Sequence, residues 1–188
     1  MDDWRQETTE PSGVLSSSTS LLKKKILCGT DFQVGGDVTF SDEQGILVDL
    51  LPDPIPVERV RGFVTGDHNL GGIVTFEGAT RRELDASHGA IVRLEYEAFE
   101  GMARRQLERL AVEARKRWSA GRVAIVHRTG AVPPGAVSVM IAVACGHRAE
   151  AFEACRWLID TLKSEVPIWK KDVFEDGHVR WVNPAKPE

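Results

Sequence analysis

Cysteine is scarce in this chain: Cys28, Cys145 and Cys155 are the only three in 188 residues. None sits in a CxxC pair or at zinc-ligand spacing, so neither a disulfide framework nor a zinc site is expected. Cys145 and Cys155 lie in apolar sequence, where a thiol behaves as a small hydrophobe. Long apolar runs are also missing. No stretch approaches the roughly 20 residues that a membrane helix requires. Met1 to Glu10 is acidic and polar and has no signal-peptide core. The expectation is a soluble, cytoplasmic chain without membrane contact. A broad basic face is absent too. Residues 1–45 hold four Lys/Arg and eight Asp/Glu, which accounts for the whole net charge of -4, and residues 46–188 balance at 20 of each sign. A neutral domain excludes a large nucleic-acid footprint, and any anion site must be a local cluster. There is no GxGxxG after a strand, no GxxxxGK[ST], no HExxH and no GxSxG, so nucleotide P-loop, zinc-protease and α/β-hydrolase chemistry have no support.

What is present is the composition of a globular protein, 42% hydrophobic and 28% charged. The length fits one domain with an appended extension. Residues 1–45 form that variable extension, with Ser16 to Ser20 and then Lys23-Lys24-Lys25. Its first 20 or so residues read as disordered, and Phe32 to Phe40 as the place for a short strand. The domain proper runs from 46 to 183, and 184–188 is a tail.

Within the domain, Ile46 to Leu50 reads as a strand. Pro56 opens a helix to about Thr65, because proline suits the first helical turn. Gly71 to Gly78 is rich in β-branched and aromatic residues and reads as a strand. Arg81 to Gly89 reads as a polar loop. Ile91 to Glu97 alternates Ile/Arg/Glu against Val/Leu/Tyr, the period of a half-buried strand. A helix from about Gly101 to Trp118 places Leu107, Leu110, Ala111, Ala114 and Trp118 on one face. Strands follow at Arg122 to His127 and, almost wholly apolar, at Val137 to Ala144. A second long helix, about Arg148 to Glu165, carries Phe152, Cys155, Ile159 and Leu162 as its apolar stripe. Pro167 stops it. Ile168 to Phe174 and His178 to Val182 form a hairpin across Glu175 to His178. Two long helices against a mostly antiparallel sheet predict an α+β fold.

Three clusters suit chemistry. Cys145-Gly146-His147-Arg148 lies where a strand passes into a helix, whose first amides lack partners and whose dipole is positive. Such a terminus suits phosphate, and Arg148 can bind phosphate bidentately. Lys163 ends that helix, and Lys170 converges with it across the Pro167 bend. Lys171 faces the other way, because strand side chains alternate. Phe76 to Arg82 delivers two arginines to a loop mouth, and Gly78 marks a bulge or a close backbone approach. Each cluster has a plain alternative: a capped helix with its cations in water, ordinary surface lysines, a solvated loop. His127-Arg128 suits a structural or interface role.

Taken together, Gly71-Gly-Ile-Val-Thr-Phe-Glu-Gly-Ala-Thr-Arg81, Leu94-Glu-Tyr-Glu-Ala98, Gly146-His-Arg-Ala-Glu-Ala-Phe152, Ile159-Asp-Thr-Leu-Lys163 and Pro167-Ile-Trp-Lys-Lys171 resemble the large subunits of molybdopterin synthase, the MoaE family. The resemblance spans about residues 46–183. It implies an α/β hammerhead with an additional small antiparallel sheet. It implies a homodimer of large subunits within a heterotetramer, each served by a small ubiquitin-like sulfur carrier ending in a Gly-Gly thiocarboxylate. The implied substrate is cyclic pyranopterin monophosphate, with no cofactor and no metal. Lys163 and Lys170 become the catalytic lysines. Ala79, Thr80, Arg81, His147, Arg148, Lys171 and Asp172 become substrate-binding residues. Asp172 stands where the family pattern calls for glutamate. The chain ends Ala185-Lys-Pro-Glu188, so the carrier is expected from another chain or a longer precursor. A binder without turnover and a dimeric scaffold are the competing readings.

Overall fold

The computed structural model describes residues 45–182. The disorder expected over the first 20 residues, the strand expected at 32–40 and the tail from 184 lie outside the described residues. In chain order the elements are β1 (Ile46–Leu51), α1 (Val57–Val64), β2 (Gly72–Ala79), β3 (Leu84–Asp85), β4 (Gly89–Ala98), α2 (Glu100–Trp118), β5 (Arg122–Arg128), β6 (Gly130–Val132), β7 (Val137–Cys145), α3 (Arg148–Glu165), β8 (Ile168–Phe174) and β9 (Val179–Val182).

They build an α+β architecture on two sheets. The main sheet has the order β1-β5-β7-β2. Only the β1–β5 pairing in it is parallel; β5–β7 and β7–β2 are antiparallel. Helices α2 and α3 cover one face, where Leu107, Leu110, Leu158 and Leu162 pack on Val123, Ile125, Ile141 and Val143. Helix α1 covers the other, with Val60 and Val64 on Leu47, Val126, Met140 and Ala142. Helices on both faces explain why β5 and β7 are almost continuously apolar instead of alternating. Strand β2, at the sheet edge, alternates partly buried and exposed positions after the buried Gly72.

The second, smaller sheet runs β3-β4-β8-β9, with β6 also pairing to β4, and is antiparallel throughout. Only Thr129 separates β5 of one sheet from β6 of the other, so the two sheets meet at a corner.

Four expectations need correction. The polar loop at 81–89 contains β3, a two-residue strand joined to β4 by a turn at 86–88, after which Gly89 opens β4 with φ +77°. Strand β6 was not expected; at three residues it is too short to carry a period. In β4 the alternation breaks at Val92. Ile91 pairs with Phe174 and Arg93 with Val173, so Val92 is an extra, bulged residue. Ile91 therefore joins Leu94 and Tyr96 around Phe174, and Val92 turns out to solvent. On α3 the buried stripe is Ala151, Ala154, Cys155, Leu158, Ile159 and Leu162. Phe152 falls outside it and is 63% exposed. The two alanines let the first turns of α3 lie close to the sheet, which rotates Phe152 away.

Ile141 is fully buried in the central β7 beneath α2 and α3. Ile141→Ala is expected to cost about 2–5 kcal/mol, read as a lower urea midpoint at unchanged slope. A loss below 1 kcal/mol would show that this core closes over the cavity.

Candidate active site

Register places the candidate residues. Antiparallel pairing sets Gly72 opposite Cys145 and Ala79 opposite Val137. Strand β7 therefore ends beside the start of β2, and α3 begins there. A Cβ on Gly72 would lie 2.5 Å from the His147 carbonyl oxygen and 2.8 Å from the Arg148 nitrogen, so only glycine admits this contact. The Gly71 amide donates to the Gly146 carbonyl at 3.3 Å. His147 is the extended N-cap residue, and its ring makes no capping hydrogen bond. His147 and Arg148 are both exposed. The role of the Gly71-Gly72 pair was not read from the sequence, although two adjacent glycines opening a strand are a signal of close approach.

Helix α3 then runs back over β2 and β7. Its 18 residues span about 27 Å at 1.5 Å per residue. The 8 residues of β2 span roughly 26 Å at about 3.3 Å each. Lys163, in the last turn of α3, is thus carried to the Ala79 end of the sheet. Val166 and Pro167 turn the chain, and β8 begins. Lys170 is the register partner of Tyr96. The Tyr96 hydroxyl donates to Ser138 Oγ at 3.2 Å, and Ser138 donates to the Gly78 carbonyl at 3.1 Å. Lys163, Lys170, Asp172 and Ala79-Thr80-Arg81 accordingly gather at one end of the domain. His147 and Arg148 lie at the other.

The gathered end is unevenly satisfied. Lys170 Nζ lies 3.8 Å from Asp172 Oδ1, an ion pair too long for a hydrogen bond. Asp172 is buried, and that oxygen has no hydrogen-bond partner; neither has Oγ1 of the buried Thr80. Side-chain atoms of Gln106, Arg128 and Glu150 share this lack of a partner, so it is not confined to the gathered end. The other Asp172 oxygen lies 3.3 Å from Arg180, which also holds Asp85 at 2.9 Å. Arg180 was missed, because only the β8–β9 register sets it opposite Asp172. Arg81 is exposed and paired with Glu83 at 2.8 Å.

Lys171 lies on the opposite face of β8, as strand alternation requires. It holds Glu97 at 2.7 Å and Glu95 at 3.2 Å, and these two carboxylates push its pKa up. In this chain it does not share a face with Lys170 and Asp172. A shallow groove of about 370 Å³ beside the Pro167 bend is lined by Phe99, Met102 and Trp169 among others. Trp169 belongs to the Lys171 face.

Both described cysteines are buried. Burial pushes the Cys155 thiol up to about 11, and burial, then the charge of Glu150, raises Cys145. At neutral pH both are thiols, not nucleophilic thiolates. Among the described residues no group of three or more His, Cys, Asp or Glu could hold a metal ion, and no helix is long and apolar enough to cross a membrane.

His127 and Arg128 are structural. Arg128 is buried and donates to the carbonyl of Ala131 at 3.1 Å. Burial pushes the His127 imidazole down to about 4. Its Nδ1 lies 2.7 Å from the Arg128 carbonyl, which only accepts, so the neutral ring carries its proton there.

Residues 50–165 match the MoaE protein family. The chain is similar to a molybdopterin synthase catalytic subunit of Oryza sativa subsp. indica, 50% identical over 139 residues, covering 73% of this chain and 71% of that one. In structure it is similar to molybdopterin synthase from Staphylococcus aureus, with a TM-score of 0.67 at 33% identity, covering 71% of this chain and 95% of that one. It also shares its fold with a complex of subunits 1 and 2 of molybdopterin-converting factor from Helicobacter pylori 26695. There the TM-score is 0.58 at 19% identity, over 72% of this chain and 90% of that one.

His127 gives the site region a pH signature. Its folded pKa of about 4 lies below the ordinary 6.5, so the unfolded chain takes up a proton first as pH falls. Stability present above pH 6.5 should drain away as pH drops toward 4, by at most about 3 kcal/mol. Urea unfolding across that range should show the loss, and His127→Gln should flatten it. An unchanged slope in the variant would assign the loss to other groups.

Proposed function

The chain belongs to the MoaE family, and from that premise we propose that it is the catalytic subunit of a molybdopterin synthase. It takes sulfur from the C-terminal Gly-Gly thiocarboxylate of a small ubiquitin-like carrier and places it on cyclic pyranopterin monophosphate. Two such transfers make the dithiolene.

The observation that supports this most is that strand register and helix length carry Lys163, Lys170 and Arg81 toward one end of the domain, where Lys170 lies 3.8 Å from the buried Asp172. A pterin phosphate and a thiocarboxylate are both anionic. Local cations in a neutral domain attract them without a broad basic face. Both described thiols are buried and protonated, which favours sulfur brought in by a partner. In this reading the thiocarboxylate sulfur attacks a side-chain carbon of the pterin and displaces an oxygen there; water then cleaves the acyl C–S bond, leaving the sulfur on the pterin and the carrier as its carboxylate. Lys163 stabilises the developing anion, and Lys170 assists proton transfer.

His147 and Arg148 stand roughly 25 Å away along β2, too far to serve the same substrate within one chain. A second copy resolves this. Strand β2 is the sheet edge, and its outer side is unpaired among the described residues. A two-fold copy set antiparallel along it brings the α3 N-terminus of one subunit to the Lys163 end of the other, twice over. The phosphate then sits on His147 and Arg148 of one subunit, at a helix N-terminus suited to it. The reaction proceeds at the lysines of the other. This is the homodimer at the centre of the heterotetramer, in which Lys171 and its carboxylates lie outside the reaction centre.

The purified chain, mixed with thiocarboxylated carrier and cyclic pyranopterin monophosphate, should make dithiolene product. Lys163→Ala should lower kcat by about 100-fold or more with the fold intact. Arg148→Ala should weaken substrate affinity by roughly 10-fold or more through the lost charge-assisted phosphate contact. Carrier binding without product would leave a binder that does not turn over. No affinity for either ligand would leave a scaffold.

A further inference from the structure

Tyr96 is the only tyrosine in the chain, and no step above uses it. Its side chain crosses the corner between the two sheets. The ring stands edge-on to His127 of β5, with centroids 4.9 Å apart at 75°. The hydroxyl donates to Ser138 Oγ at 3.2 Å. Ser138 is no ordinary strand residue. Gly78 pairs with Val139 and Ala79 with Val137, so Ser138 is the extra residue of a bulge in β7. A bulge interrupts the ladder and bends the strand pair. Here Ser138 Oγ supplies a donor to the Gly78 carbonyl, 3.1 Å away. The backbone is tight at that point: a Cβ on Gly78 would lie 2.6 Å from Val139 Cγ1. Beyond Gly78 the chain continues into Ala79, Thr80 and Arg81. On its other side Tyr96 is the register partner of Lys170, and directly opposed antiparallel residues have Cβ atoms about 5 Å apart.

One hydroxyl therefore ties the strand beside Lys170 to the bulge opposite Gly78, the residue that leads into Ala79, Thr80 and Arg81. We propose that Tyr96 is a positioning residue: acting through the bulged Ser138 on the Gly78 carbonyl, it holds Ala79–Arg81 at a fixed separation from Lys170. The catalytic consequence rests on the synthase reading; the mechanical consequence does not.

The test uses the full chain with Tyr96→Phe, Ser138→Ala and the double variant, each removing only a hydroxyl. Amide hydrogen exchange comes first. In Tyr96→Phe the amides of Ala79 to Arg81 and of Lys170 should exchange about 10-fold faster or more, with Ile125 and Ile141 in the core as protected as in the parent. With carrier and cyclic pyranopterin monophosphate, kcat should fall about 10-fold or more while KM stays within about 2-fold, because misplacement harms the reacting geometry more than binding. The double variant should be no worse than either single one, since both break the same link. Unchanged exchange at Ala79 to Arg81 in Tyr96→Phe would overturn the proposal, as would losses that add in the double variant. If the parent chain makes no product, the synthase reading fails and the exchange result still decides the role of Tyr96.

Discussion

The antiparallel pairing of β2 with β7 governs where each candidate site residue lies. Because Gly72 faces Cys145 and Ala79 faces Val137, a strand that ends in His147-Arg148 ends at the opposite side of the sheet from Arg81. Helix α3 has nearly the length of β2, so it returns Lys163 to the Arg81 side. The short turn at Val166-Pro167 then drops Lys170 into the small sheet nearby. A shift of one residue in this register would exchange the faces of β2 and remove the glycine that lets α3 start against it. The split of the candidate site into two halves is thus a property of the main sheet and not of loops.

Charge is distributed to match. Most cations of the small sheet are already engaged: Lys171 by Glu95 and Glu97, Arg180 by Asp85 and Asp172. Lys170 is held only at 3.8 Å from a carboxylate oxygen that lacks a hydrogen bond. A buried carboxylate left half-satisfied is costly unless something completes it. The loose Lys170–Asp172 pair leaves the ammonium close enough to be oriented and free enough to meet an incoming anion. Arg180 holds the other Asp172 oxygen at 3.3 Å, so that contact does not draw on Lys170. Asp172 reaches Arg180 because β8 and β9 set them directly opposite.

Much of this was legible in the sequence. The three helices, most of the strands and the α+β class follow from period, proline and glycine. Local signals also marked Gly78 as a bulge or close approach, and strand alternation separated Lys170 from Lys171. What was not legible depends on pairing. The bulge at Val92 reversed the expected facing of Ile91 and Val92, and a bulge is visible only against its partner strand. Strands β3 and β6 are too short to show a period. Phe152 looked like a core residue because it is aromatic at a plausible spacing, yet alanines on the neighbouring stripe took its place. Arg180, Tyr96 and Ser138 acquire meaning only through residues more than seven positions away. The separation of His147 from Arg81 was hidden for the same reason: sequence motifs name site residues but do not say which chain supplies them.

Mixing two impaired variants asks whether a complete site needs the α3 N-terminus of one subunit and the lysine end of another. Arg148→Ala and Lys163→Ala each damage a different half. Co-refolded in equal amounts, half of the dimers pair one of each, and each mixed dimer holds one intact site and one doubly damaged site. A site shared between subunits should restore activity to about a quarter of the parent's with substrate limiting. Mixed dimers that form and stay as impaired as the separate variants would show that the two halves do not meet across the dimer.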